Sequence, residues 1–296
     1  MRCLEAVLLA AGVLGACLAL GGCRGCEAGR PGLGAASALP SASAAPSAAR
    51  KPKRPPPPPV LKPLRAPEDI VALDVPGYLE AAVSVPRGAT QPRPIIIALH
   101  GENDRPEWQC RAWRDISRGY PWVLCPRGAL RADSPASDRR FTYASLQEAT
   151  RELRAALGAL KDRYVYHVAP GPVVLVGFSL GAQYAARIAK QEPSFFSRVV
   201  LVEGGADQWA SGVATLFQRG GGTRVLFVCG RPECTTAAEE RRAMSERLGL
   251  DGRVASVPGG GHVYDGTVAQ ALEKEYSWLV AGDSRFAAEG PSPLSK

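Results

Sequence analysis

From about residue 68 to 285 the chain alternates two patterns of apolar positions. Short runs of consecutive apolar residues alternate with longer stretches in which apolar residues recur every three or four positions. The first pattern predicts strands buried on both faces, and the second predicts helices packed against them. "RPIIIALHG" (93–101), "YPWVLCPRG" (120–128), "PVVLVGFS" (172–179), "SRVVLVEGG" (197–205), "TRVLFVCG" (223–230) and "GRVASVPGGG" (252–261) read as strands. Helices are predicted over 145–164, 180–191, 235–250 and 265–280. Ser145 and Glu148 open the first of these as a capping box, and Pro193 closes the second. Upstream, 71–88 predicts one or two antiparallel edge strands. Strands and helices of these lengths in alternation argue for an α/β domain: a mainly parallel central sheet with helices on both faces. In such sheets ligands sit at the carboxyl ends of the strands, so residues just after each strand carry the chemistry.

Outside this region the pattern changes. Residues 6–22 form one apolar run after Arg2 and end in Leu20-Gly21-Gly22-Cys23. The run reads as an export signal over 1–22 and is set apart from the fold. Its end resembles a bacterial lipobox, which implies lipidation of Cys23 and a lipid anchor in the cell envelope. Leu14-Gly15-Ala16-Cys17 is a rival lipobox, and a cleaved signal or an uncleaved anchor are the plainer alternatives. Residues 24–67 hold 11 prolines, five of them consecutive from Pro55 to Pro59. A stretch without those backbone donors cannot build a packed core, so 23–67 is expected to be a linker and 286–296 a tail.

Charge follows the same division. The formal net charge is +8, but residues 24–67 contribute +7 of it, from eight Lys/Arg against Glu27. The folded region is close to neutral, so a nucleic-acid partner is not expected. Of eight cysteines, Cys3, Cys17, Cys23 and Cys26 precede the domain. Cys110, Cys125, Cys229 and Cys234 lie within it, and spacing favours the local pairs Cys110–Cys125 and Cys229–Cys234 among three possible pairings. No histidine accompanies either pair at ligand spacing, so no metal is expected.

The strand ends carry a candidate site. Gly177-Phe178-Ser179-Leu180-Gly181 is a G-x-S-x-G between a strand and a helix, the context in which the serine is a nucleophile exposed on a sharp turn. A serine hydroxyl needs a base. His100 ends the strand over 93–101, His167 precedes the nucleophile strand, and His262 follows the last strand in "GGGH". The order nucleophile, acid, histidine selects His262. The acid is expected at Glu233, after the strand before last, with Glu203 as main rival and Asp207 as a lesser one. An oxyanion needs two preorganised donors, here the N–H groups of Leu180 and Glu102. Gly101 lets the "LHGEN" loop pass close to substrate, and His100 is a positioning residue. A histidine base predicts activity that falls as pH drops below about 6.

"LHG" (99–101), "GFSLG" (177–181), an acid near Glu233 and "GGGH" (259–262), in this order, resemble the α/β-hydrolase superfamily, in particular small bacterial serine esterases with little or no cap domain. The resemblance covers about three quarters of the chain and implies hydrolysis of a carboxylic ester through an acyl-enzyme, with no cofactor. It departs from the commoner pattern at the acid, where Glu233 stands beside Cys234 instead of an Asp. The polar, Gly/Ala-rich segments 126–144 and 204–222 point to a small or polar ester. Trp108, Trp113, Trp122 and Trp209 are pocket or core candidates, and Arg127, Arg139 and Arg140 would attract an acidic substrate or form a solvated basic face. Two alternatives stay open: a non-catalytic binding lipoprotein on this fold, or a peptidase, thioesterase or acyltransferase with the same triad.

Overall fold

The computed structural model describes residues 60–287. The expected export signal, Cys23, most of the proline-rich segment and residues 288–296 lie outside the described residues. In chain order the elements are β1 (Ile70–Leu73), β2 (Ala81–Ser84), β3 (Ile95–Leu99), α1 (Pro106–Ile116), β4 (Trp122–Cys125), β5 (Ala129–Leu130), β6 (Phe141–Thr142) and α2 (Leu146–Arg163). There follow β7 (Val173–Phe178), α3 (Leu180–Gln191), β8 (Phe196–Val202), α4 (Ser211–Arg219), β9 (Arg224–Cys229), α5 (Pro232–Arg247), β10 (Asp251–Ser256) and α6 (Gly266–Val280).

Eight strands form one sheet in the order β1-β2-β4-β3-β7-β8-β9-β10. Pairing is parallel from β4 to β10, and antiparallel for β1–β2 and β2–β4. The consecutive apolar residues serve two cores. In β3, Ile95, Ile97 and Leu99 join the core beneath α2, α3, α4 and α5, while Ile96 and Ala98 join the core beneath α1 and α6. That is why these strands read as unbroken hydrophobic runs rather than alternating ones. The predicted cap of α2 is present: Glu148 N–H donates to Ser145 Oγ at 3.1 Å.

Several expectations change in detail. The segment 71–88 gives two strands, of which only β1 is an edge; β2 lies inside, between β1 and β4. The segment 204–222 is not all loop: it contains α4, which buries Val213, Ala214 and Phe217. The segment 126–144 folds into the β5–β6 hairpin. Packing starts ahead of residue 68, because Leu64 is buried and exchanges backbone hydrogen bonds with Gly88 and Ala89. At the other end it includes Phe286. Cys110–Cys125 and Cys229–Cys234 are disulfide-bonded, the first joining α1 to β4 and the second joining the end of β9 to the first turn of α5. Trp113, Trp122 and Trp209 are core residues, whereas Trp108 is 40% exposed.

Candidate active site

Ser179 is the single residue between β7 and α3. Its backbone is left-handed, φ 52° and ψ −115°, a conformation that costs a non-glycine residue about 1–3 kcal/mol and persists only where the surroundings impose it. The surroundings here are backbone. A Cβ on Gly177 would collide with the Gly181 carbonyl, and one on Gly181 with the Leu99 and His100 carbonyls. The two glycines let β7, α3 and the end of β3 close on one another, and the hydroxyl is left projecting at the carboxyl edge of the sheet.

His262 lies on the loop between β10 and α6. Its Nε2 is 2.8 Å from Ser179 Oγ, and its Nδ1 is 3.1 Å from Oε2 of Glu203. The Phe178 ring packs beside the imidazole, centroids 5.1 Å apart. Glu203 follows β8 directly and is itself left-handed, φ 51°. Its side chain is buried, and its carboxylate accepts from the Gly230 N–H, from the Arg231 N–H at 3.1 Å and from Arg231 Nε at 2.6 Å. Burial alone would push the Glu203 carboxyl up. The donors from Gly230, Arg231 and His262 outweigh it and hold the group below its ordinary value, ionised. An ionised carboxylate only accepts, so it fixes the imidazole proton on Nδ1 and leaves Nε2 free to accept from the serine hydroxyl.

The acid placed against His262 is therefore Glu203, not Glu233. The reason lies in how β9 ends. The chain enters α5 at Pro232, which puts Glu233 in the first turn of the helix, 70% exposed and 3.7 Å from Arg231. An acidic side chain there meets the positive end of the helix dipole, not the site. Asp207 is exposed and bonds Gln208. Glu203 carried a signal of its own: "EGG" ends its strand with an acid followed by two glycines. Sequence reasoning also passed over Arg231, and over Asp104, which accepts from the Gly101 and Arg105 N–H groups and from the Tyr264 hydroxyl.

The remaining expected residues gather at the same place. Among the described residues neither the Leu180 nor the Glu102 N–H donates to a protein acceptor. Gly101 passes tightly over the turn: a Cβ there would sit 2.7 Å from the Phe178 ring and 3.3 Å from Ser179 Cβ. His100 is fully buried and stacked on Tyr143, with Nδ1 2.8 Å from the Gly101 carbonyl and Nε2 2.8 Å from the Arg127 carbonyl. Burial pushes its pKa down, against the hydrogen bonds to those carbonyls, so it holds the loop rather than exchanging protons with substrate. His167 is remote and bonds the Lys62 carbonyl. Ser179 and His262 open into a cleft of about 310 Å³, lined also by Glu102, Asp104, Trp108 and Tyr264. The Glu203 carboxylate and the sulfurs of Cys229 and Cys234 lie within 4.8 Å of one another. Bonded to each other, those sulfurs are not thiolates and do not serve a metal ion.

No family model matches the chain, and no curated protein matches it in sequence. Solved structures do. Est1E from Butyrivibrio proteoclasticus, with ferulic acid bound, aligns with a TM-score of 0.50 at 14% identity, over 71% of this chain and 99% of that one. An uncharacterized protein from Bacillus cereus ATCC 10987 gives 0.50 at 14% identity, over 64% of this chain and 60% of that one. A thermostable esterase gives 0.49 at 16% identity, over 71% of this chain and 62% of that one. The chain thus spans less than two thirds of the length of the last two. At such identities the likeness establishes the fold, that of the α/β-hydrolases.

Proposed function

We propose that this α/β-hydrolase-fold protein is a serine hydrolase of carboxylic esters that works through an acyl-enzyme. One observation carries the reading: Ser179 Oγ, His262 Nε2, His262 Nδ1 and a buried, ionised Glu203 form a continuous line of contacts of 2.8 and 3.1 Å. Ser179 attacks the ester carbonyl as its proton passes to His262 Nε2. The oxyanion that forms is met by the Leu180 and Glu102 N–H groups, each such donor contributing about 3 kcal/mol. The tetrahedral species collapses, and the departing alkoxide takes the proton from His262. Water then gives a proton to His262 and attacks the acyl carbon; collapse releases the carboxylic acid and returns the proton to Ser179. Glu203 stays ionised throughout and stabilises the imidazolium in each half-reaction.

Labelling with a fluorophosphonate, followed by peptide mapping, tests this. Labelling at Ser179 that disappears in His262→Ala is expected. A folded protein that is not labelled would favour the binding-module alternative instead. We further propose that the protein acts outside the reducing interior of the cell, held by lipidated Cys23. The two disulfides support an oxidising compartment. Cys23→Ala is expected to move the protein from the membrane fraction to the soluble fraction.

A further inference from the structure

Among the described residues eight large apolar side chains are exposed, and four of them gather at and beside the Ser179 cleft. Leu79, Trp108 and Leu130 line one groove of about 580 Å³, and Val263 lines the Ser179 cleft. Trp108 belongs to both. The backbone runs from one to the other as well: Glu102 to Asp104 line the cleft, and Arg105 and Glu107 line the groove. The far wall is the β5–β6 hairpin, which is fastened to the oxyanion loop. Phe141 N–H donates to the Asp104 carbonyl at 2.9 Å, and Arg131 and Thr142 both hold the Glu102 side chain.

The groove has arginines on its walls, but most are held by carboxylates. Asp138 pairs with both Arg105, at 2.6 Å, and Arg140, at 2.8 Å. Those two guanidiniums lie over the Trp108 ring, 5.3 and 4.4 Å from its centroid. Arg127 is paired with Glu107 at 2.5 Å and lies 4.9 Å over the Phe141 ring. Arg139 and Glu80 remain on the rim, of opposite sign. With these charges satisfied, what faces the groove is chiefly carbon. An apolar surface of this kind, beside a candidate nucleophile, is unfavourable in water unless a ligand covers it.

We propose that this groove receives the acyl group of the ester and that the group is apolar. The proposal rests on the serine-hydrolase reading above. The acyl side is assigned because the leaving alcohol must lie at His262 to receive its proton, and no residue of the His262 loop lines the groove. It differs from the small or polar ester expected from the composition of 126–144, most of whose charges are held in ion pairs. Because the hairpin holds the oxyanion loop, acyl binding is felt where the transition state forms, and raises kcat as well as lowering KM.

The test is a series of p-nitrophenyl esters hydrolysed by the full chain, with acetyl, butanoyl, hexanoyl and 4-phenylbutanoyl groups. The expected result is that kcat/KM rises roughly tenfold or more from acetyl to hexanoyl, as burial of several methylenes allows. That ratio should collapse in Leu130→Asp and in Trp108→Ala. It should persist in Leu216→Asp, an exposed apolar position on α4 outside the groove. Fluorophosphonate labelling of Ser179 is run beside it. Labelling with a flat or falling acyl series, or a ratio unmoved by the groove variants, overturns the groove alone. Absence of both labelling and turnover overturns the hydrolase reading, and the groove proposal with it.

Discussion

At the scale of single residues, two carboxylates thirty residues apart have opposite fates. Glu203 is buried among donors and in contact with His262, whereas Glu233 faces water. Glu203→Gln is expected to lower kcat on the order of 10³ to 10⁴, because an amide no longer fixes the imidazole tautomer or stabilises its charge. Glu233→Gln should stay within about twofold, as surface changes do. Steady-state kinetics on the two variants decides between them. Ser179→Ala should cost on the order of a millionfold while leaving the far-UV spectrum unchanged. The depressed pKa of Glu203 has a second consequence. A carboxyl whose folded pKa lies below its unfolded value adds stability above the unfolded value, and loses it as pH falls through the folded one. The Tm gap between wild type and Glu203→Gln should therefore be widest near neutrality and shrink below about pH 4. A gap that grows on acidification would contradict the ionised, donor-held carboxylate.

At the scale of elements, the two disulfides divide labour. Cys110–Cys125 closes 15 residues and joins α1 to β4 in the core, and neither cysteine touches Ser179, His262 or Glu203. Cys229–Cys234 closes only 5, but the loop it closes carries Gly230 and Arg231, whose donors hold Glu203. By loop-closure entropy the first contributes about 3 kcal/mol and the second about 2. Cys110→Ser with Cys125→Ser should thus lower Tm more and kcat little. Cys229→Ser with Cys234→Ser should lower Tm less and kcat on the order of tenfold, since a small displacement of an orienting group is expensive. This is also where the sequence stops being legible. β7 and α3 were readable almost to the residue, because a two-faced apolar run and an alanine-rich helix leave little ambiguity. The serine was readable because backbone contact forces its two glycines, and the histidine because Gly259 and Gly261 before it turn the chain at positive φ. α1 was missed because its buried positions, Cys110, Trp113 and Ile116, are sparse in a polar stretch. α4 was missed because it starts with Ser-Gly among other glycines. The acid was misplaced because choosing between Glu203 and Glu233 needs the order of strands in space, and that order is a property of packing, not of local pattern.

At the scale of the whole molecule, the triad is supported unevenly. Ser179 and Glu203 follow β7 and β8, which are buried along their whole length in the middle of the sheet. His262 follows β10, an edge strand, which is paired on one side only and is largely accessible. Edge elements open locally at lower free energy than the core they rest on. Ester hydrolysis and Ser179 labelling should therefore be lost at lower urea than far-UV ellipticity, and coincident midpoints would mean that β10 opens only with the whole domain. The same arrangement orders events in time. His262 is 83 residues downstream of Ser179, which at ribosomal speed is a delay of roughly 4 to 17 s. Once Glu203 has followed, a nascent chain carries both Ser179 and its acid, yet without His262 it holds no hydroxyl activated for attack. On the serine-hydrolase reading, the chain stays inert until β10, His262 and α6 have been made and docked.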